Sequence, residues 1–320
     1  MSTCLVTGAA SGIGRAIATR LFEAGHTVHA TDIEPTGLAD LPAGVQTHRA
    51  DLRSKDDVAR LALETGPVDI LVNNAGIGAW GTQEEADLDA VRDMFEVNVF
   101  GVARLTQAYL PGIRERRGVV VQISSISARI VFPASGFYAS SKHALEAMTE
   151  ALYQEVAPDG VRVRVIEPGS IESGFQVAAA ARSPAPAASH YDARHATWNA
   201  RRDALLASPQ APERVAEVLI DSLADPRGFL RLAVGADAER LLAMRDQLSQ
   251  DEWVRLMAER NGALQGLDSP VADPADPNRV TDARRLANTY TALMLGHLDH
   301  WSPASVAAWR ATWRTRFAGL

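Results

Sequence analysis

From the start of the chain to about Gly235, short runs dominated by Val, Ile and Leu alternate with longer stretches of helical period. Apolar runs are continuous rather than alternating where both faces of a sheet are covered, as in parallel sheets joined by crossover helices. The pattern predicts seven strands, at Thr3–Thr7, Thr27–Asp32, Val45–Ala50, Val68–Asn73, Gly118–Ser124, Val161–Glu167 and Phe229–Val234. The implied fold class is α/β, a doubly wound parallel sheet. Between Ser173 and Ser208 the pattern breaks into an Ala-rich irregular segment with Pro184 and Pro186. It lies just past the carboxyl end of a predicted strand, the edge where open α/β sheets bind ligands. A helical stretch follows Gly235 to about Asn261, and then GLDSPVADPADPN, whose Pro and Asp content reads as a linker. Ser302 and Pro303 read as the N-cap and first residue of a closing helix, in which Val306, Trp309, Trp313 and Phe317 form one apolar stripe. The expected organisation is a sheet domain over 1–265, with a loop at about 174–208, and a linker plus C-terminal helical extension over 266–320. The stripe is expected to pack on the sheet domain or on a neighbouring subunit rather than on a membrane.

Composition narrows the classes. With 320 residues, 47% of them hydrophobic, the chain can bury a large core. Its 32 basic and 39 acidic side chains give −7, with no basic run long enough to track a phosphate backbone, so nucleic acid is not an expected partner. The single cysteine, Cys4, rules out an intrachain disulfide and a thiolate metal cluster. The eight histidines form no HExxH, and His297 with His300 has no third ligand in view, so no metal is expected. Apolar runs such as Gly118–Ile123 fall far short of a membrane span. Strand-like sequence starts at Thr3, ahead of which a signal peptide has no room; a soluble cytoplasmic protein is the expectation.

The first strand runs straight into Thr7-Gly8-Ala9-Ala10-Ser11-Gly12-Ile13-Gly14, followed by an amphipathic pattern from Arg15 to Glu23. Glycines let such a turn bend sharply and approach a pyrophosphate, and the helix N-terminus offers unpaired N–H donors. Asp32 closes the second predicted strand, where a carboxylate can accept from the adenosine ribose hydroxyls. A 2′-phosphate there would meet a like charge, and neither Thr31 nor Ile33 supplies a cation for it, so NAD(H) is expected over NADP(H). Asp51-Leu52 follows the third strand and Asn73-Asn74-Ala75-Gly76 the fourth, at the same sheet edge. Tyr138 and Lys142 lie one turn apart on a predicted helix from Ser135 to Val156. A free phenol is a poor base at neutral pH, and an ammonium close by would favour its phenolate. Ser125 ends the strand-like VVVQISS, and Asn98 lies in the helical stretch VNVFG.

TGAASGIG, NNAG, the Asn98 segment, Ser125, YASSK and Pro168-Gly169 occur here in the order found in the compact short-chain dehydrogenases/reductases, and residues 3–235 resemble that family. The resemblance implies a Rossmann-like fold and an oxidoreductase transferring hydride between NAD(H) and a secondary alcohol or ketone; a homo-oligomer, which the apolar C-terminal stripe would suit, is also expected. It implies that Ser125 hydrogen-bonds the substrate oxygen and Tyr138 exchanges the proton. Lys142 would hold the nicotinamide ribose and depress the tyrosine pKa, and Asn98 would order a water. Asp32 and Asp51 would contact ribose and adenine, and Gly8, Ser11, Gly12, Ile13 and Gly14 would surround the pyrophosphate. Asn74, Ala75 and Gly76 would lie beside the adenosine half, Ile171 would meet the nicotinamide amide, and Ile33, Leu52, Pro168 and Gly169 would also line the cofactor. Ser173 stands where the family usually has Thr. The glycine turn differs from that of the extended epimerases, which argues against epimerisation. An NAD(H)-binding sensor or scaffold without turnover is the other reading, opposed by the intact Ser125, Tyr138 and Lys142. Phe175, Tyr191 and Trp198 in the 174–208 loop suit a hydrophobic substrate.

Overall fold

The structure, a computed structural model, describes residues 1–183, 189–205 and 209–261. The chain divides into two compact units, Met1–Ser249 and Gln250–Leu320. The expected C-terminal extension, with His297, His300 and the Trp309/Trp313 stripe, lies outside the described residues, as do Pro184 and Pro186.

The first unit is a seven-stranded parallel sheet in the order β3-β2-β1-β4-β5-β6-β7. Its strands are β1 Thr3–Thr7, β2 Thr27–Asp32, β3 Gln46–Arg49, β4 Ile70–Asn73, β5 Val119–Ile123, β6 Arg162–Pro168 and β7 Phe229–Val234. The helices are α1 Gly12–Glu23, α2 Lys55–Thr65, α3 Leu88–Phe95, α4 Val102–Glu115, α5 Gly136–Val156, α6 Phe175–Arg182, α7 Asp192–Leu205, α8 Pro212–Ala224 and α9 Ala236–Arg245. A π turn, Glu96–Gly101, runs between α3 and α4. In the second unit, α10 spans Gln250–Arg260.

The period of two splits each apolar run between two cores. Cys4, Val6, Ile70, Val72, Val119 and Val121 pack on one face with Ile17 and Leu21 of α1 and Val215 and Leu219 of α8. Leu5, Leu71, Val120 and Val163 pack on the other with Leu61 of α2, Leu105 and Ile113 of α4, and Leu152 and Val156 of α5. Most of these side chains are fully buried, each contributing about 1.5–3 kcal/mol relative to exposure.

Local chemistry sets the helix ends. The Ser54 hydroxyl accepts from Asp57 N–H at 3.1 Å to start α2, and the Asp87 carboxylate accepts from Asp89 N–H at 2.9 Å to start α3. Arg117 turns left-handed (φ 50°) just after α4. The chain order reverses between β1 and β4, so the carboxyl ends of those strands open a crevice there.

Candidate active site

At the end of β1 the Thr7 hydroxyl donates to the Val72 carbonyl at 3.3 Å and accepts from the N–H groups of Asn74 and Ala75, each at 3.0 Å. Asn74 Nδ2 donates back to the Thr7 and Gly8 carbonyls at 2.8 and 3.2 Å. These bonds fasten the glycine turn to the segment after β4. Gly8 turns left-handed (φ 66°), and a Cβ on Gly14 would sit 2.1 Å from the Gly8 carbonyl oxygen, so no other residue fits there.

This turn forms one wall of a cleft of about 960 Å³ at the carboxyl edge of the sheet. Every site residue expected from the sequence lines it except Gly14, packed beneath the turn, and Asn98. Asp32 accepts from Ala10 N–H at 3.0 Å through Oδ2 and from Glu34 N–H at 3.1 Å through Oδ1. Arg15, the basic residue nearest the glycines, donates to the Ala10 and Gly37 carbonyls and pairs with Asp40 at 3.2 Å. Arg53 clamps Asp51 through Nε and Nη2, at 2.9 and 2.8 Å, and reaches Asp93 at 2.7 Å. That guanidinium holds the Asp51 carboxyl below the ordinary carboxylate range.

On the far side of the cleft stand Ser125, Tyr138 and Lys142. Ser125 extends from β5 and accepts from Ser127 N–H at 3.1 Å. Lys142 Nζ donates to the Ile123 carbonyl at 3.0 Å and lies 5.9 Å from the Tyr138 ring centroid. Asn98, in the π turn, accepts from Ile77 N–H at 2.9 Å and donates to the Ile77 carbonyl at 2.9 Å and to Ser141 at 3.1 Å. Its amide thus braces the backbone beside Gly76, where an added Cβ would come within 3.2 Å of Asn98 Oδ1 and 3.7 Å of Lys142 Nζ.

One expectation needs correction here. Burial pushes the Tyr138 phenol up to about 12, and the hydrogen bond from Ser125 only partly offsets it. Lys142 is held on the Ile123 carbonyl rather than against the phenol, so its ammonium does not outweigh burial and the expected net lowering is not found. Burial also brings Lys142 down to about 8, against the attraction of Glu146.

The pattern of the short chain dehydrogenases matches residues 2–184. The chain belongs to the short-chain dehydrogenase/reductase family. Among its curated relatives, the 3-ketodihydrosphingosine reductase of Bacteroides thetaiotaomicron is 37% identical over 173 residues, 53% of this chain and 64% of that protein. The chain thus spans less than two thirds of the length of the first relatives it matches. Human 17-beta-hydroxysteroid dehydrogenase type 1 is 33% identical over 275 residues, 79% of this chain and 84% of that protein. A short-chain dehydrogenase from Streptomyces avermitilis has a similar structure, with 33% identity, TM-score 0.68, and coverage of 83% of this chain and 98% of that one. Similar folds were solved with either cofactor. One from Burkholderia cenocepacia holds NADP (26% identity, 80% of this chain and 97% of that one, TM-score 0.65). One from Burkholderia phymatum holds NAD (25%, 79% and 94%, TM-score 0.67).

Several features of this short-chain dehydrogenase were not read from its sequence. Trp80 and Phe175 pack on the Tyr138 ring, with centroids 5.1 and 5.5 Å away, and both line the cleft. Of the three aromatics expected over the substrate, only Phe175 lines it. Tyr191 and Trp198 pack together at 6.0 Å, and the Tyr191 hydroxyl donates to Glu84 at 3.0 Å. Glu85 and His195, joined at 3.2 Å, also line the cleft. Thr7 acts only through residues distant in sequence, at Val72, Asn74 and Ala75, which no local motif reveals. One signal was present: Lys142 is one of only two lysines in the chain, the other being Lys55.

Proposed function

We propose that this oxidoreductase interconverts a hydrophobic secondary alcohol and its ketone with NAD(H), with Tyr138 as the proton donor and acceptor. The observation that carries the reading is the placement of Ser125, Tyr138 and Lys142 in one cleft with the glycine turn. The residues fit a nicotinamide dinucleotide: Gly8, Ser11, Gly12 and Ile13 line the cleft, the close Gly8–Gly14 packing holds their turn in shape, and the N-terminus of α1 opens beside it. When bound, the nicotinamide supplies or accepts the hydride.

Ser11, Gly12 and Ile13 would hold the pyrophosphate, Asp32 the adenosine ribose, and Lys142 the nicotinamide ribose. The Asp32 carboxylate, together with the engagement of Arg15 by Asp40 and two carbonyls, supports NAD(H) over its 2′-phosphorylated form. In the reductive direction, Ser125 hydrogen-bonds the carbonyl oxygen and Tyr138 gives it a proton. A phenol raised to about 12 starts that step protonated, and the Lys142 ammonium stabilises the phenolate left behind. Asn98 keeps the Gly76–Ile77 backbone and Ser141 fixed around that lysine.

Trp80 and Phe175 make the wall beside Tyr138 apolar and aromatic, which supports a hydrophobic substrate. The names of two relatives, a ketodihydrosphingosine reductase and a hydroxysteroid dehydrogenase, point the same way. The test is a panel of secondary alcohols and ketones, aliphatic, aryl and polycyclic, assayed with both cofactors by nicotinamide absorbance. Turnover of an apolar member, lost in Ser125→Ala, supports the reading. Tight NADH binding with no turnover across the panel would leave a sensor instead.

A further inference from the structure

Behind the lysine lies a buried cluster that the proposed reaction does not use. One turn beyond Lys142 on α5, Glu146 is only 6% exposed. Its Oε1 accepts from the Ser124 hydroxyl at 2.6 Å and its Oε2 from Arg231 Nε of β7 at 3.1 Å. Glu167 of β6, 1% exposed, faces it, and Arg231 Nε lies 3.8 Å from Glu167 Oε1. Arg129, beyond β5, stands 4.0 Å from Glu167 Oε2 and pairs on its other side with Asp246. The second arm of Arg231 reaches Glu150, one turn further along α5, at 2.7 Å.

Two carboxyl groups in such a place are costly, since each must be desolvated next to a like charge. A lysine as buried as Lys142 is also costly. The two problems relieve each other.

We propose that Glu146 is a positioning residue for the reaction: its carboxylate, clamped by Ser124 and Arg231, is the counter-charge that keeps the Lys142 side chain an ammonium. It acts across a helical turn through its field, because the ammonium itself is held by the Ile123 carbonyl. Glu167 adds a pH dependence. Burial and the neighbouring Glu146 push it up to about 7, while Arg129 and Arg231 oppose the rise. As pH rises through neutrality, Glu167 ionises and adds a second negative charge. What reaches Lys142 is the field of Glu146, against the burial that favours the neutral amine. The inference rests on the reading that Lys142 serves Tyr138, but its protonation can be measured without turnover.

The chain's two lysines make that measurement direct. Full-length protein labelled with 13C at the lysine ε carbon gives two resonances, with exposed Lys55 as internal control and Lys142→Arg as assignment. In the unmodified protein the Lys142 midpoint is expected near 8. Glu146→Gln should lower it by roughly one unit or more, the scale of one charge a turn away. Glu146→Asp should restore part of the drop. Should Glu146→Gln fail to fold, Glu146→Asp carries the test, with a smaller fall of a few tenths of a unit or more as the charge draws back from the lysine. In parallel, the alkaline limb of ketone reduction should move to lower pH with the lysine midpoint. A Lys142 midpoint unmoved in these variants, with only the melting temperature lowered, overturns the inference and shows the cluster to be structural. No turnover in any variant, with the midpoint shifting as stated, leaves the inference standing and removes the proposed reaction.

Discussion

Replacing Asp32 separates charge from architecture in cofactor choice. Its carboxylate would repel a 2′-phosphate, and it also accepts two backbone N–H groups, from Ala10 and Glu34. Two unit charges about 4 Å apart interact by roughly 1 kcal/mol in bulk water and about 4 kcal/mol near a protein surface. Asp32 is partly exposed, so about 1–3 kcal/mol of repulsion is reasonable, or roughly 5–150-fold in relative kcat/KM. Asp32→Asn removes the charge but keeps an oxygen for the Ala10 N–H. It should raise NADPH efficiency relative to NADH by roughly 10–100-fold with little change in melting temperature. Asp32→Ala should shift the preference similarly and also cost about 1–3 kcal/mol of stability, because the Ala10 N–H loses its acceptor. The assay is kcat/KM for both cofactors in all three proteins, at low and high salt, beside a thermal melt. The gap should narrow as salt screens the partly exposed charge. An unmodified enzyme that favours NADPH, or an Asn variant with an unchanged ratio, would refute the reasoning.

Gly14→Ala should abolish NADH binding, measured by fluorescence titration, because its Cβ would lie 2.1 Å from the Gly8 carbonyl oxygen and force the turn apart. Phe175→Ala should raise KM for an apolar ketone by about tenfold or more, through lost apolar area beside Tyr138, and leave NADH affinity unchanged. For Glu167, raised to about 7 from an ordinary 4.5, the native state binds more protons than the unfolded one between those values. Stability should therefore fall as pH rises through that window, by up to about 3 kcal/mol in all, and Glu167→Gln should flatten the fall in melts from pH ~5 to ~8.

The sheet was legible because burial on both faces leaves its mark inside each strand. Cys4, Leu5 and Val6 are all apolar although they point alternately into different cores. Legibility drops at the edge: the expected strand Val45–Ala50 shortens to Gln46–Arg49, whose side chains are mostly exposed. The cofactor turn, Ser125, Tyr138 and Lys142 were legible as local spacing. The ionisation of Tyr138 was not, because its sign depends on burial among Trp80 and Phe175, which come from elsewhere in the chain. Glu146 and Glu167 were silent for the same reason, since a glutamate on a helix and another in a strand become a cluster only when α5 packs on β6 and β7 supplies Arg231.

The most direct test of the central claim is steady-state turnover of Tyr138→Phe with NADH and the best ketone from the panel, alongside its NADH dissociation constant. The phenol oxygen is the only atom removed, so the ring packing on Trp80 and Phe175 should survive. The account predicts unchanged NADH affinity and turnover reduced by about 10²–10⁴-fold, the loss expected for a missing proton donor. Turnover near that of the unmodified enzyme, with the cofactor still bound, would contradict it.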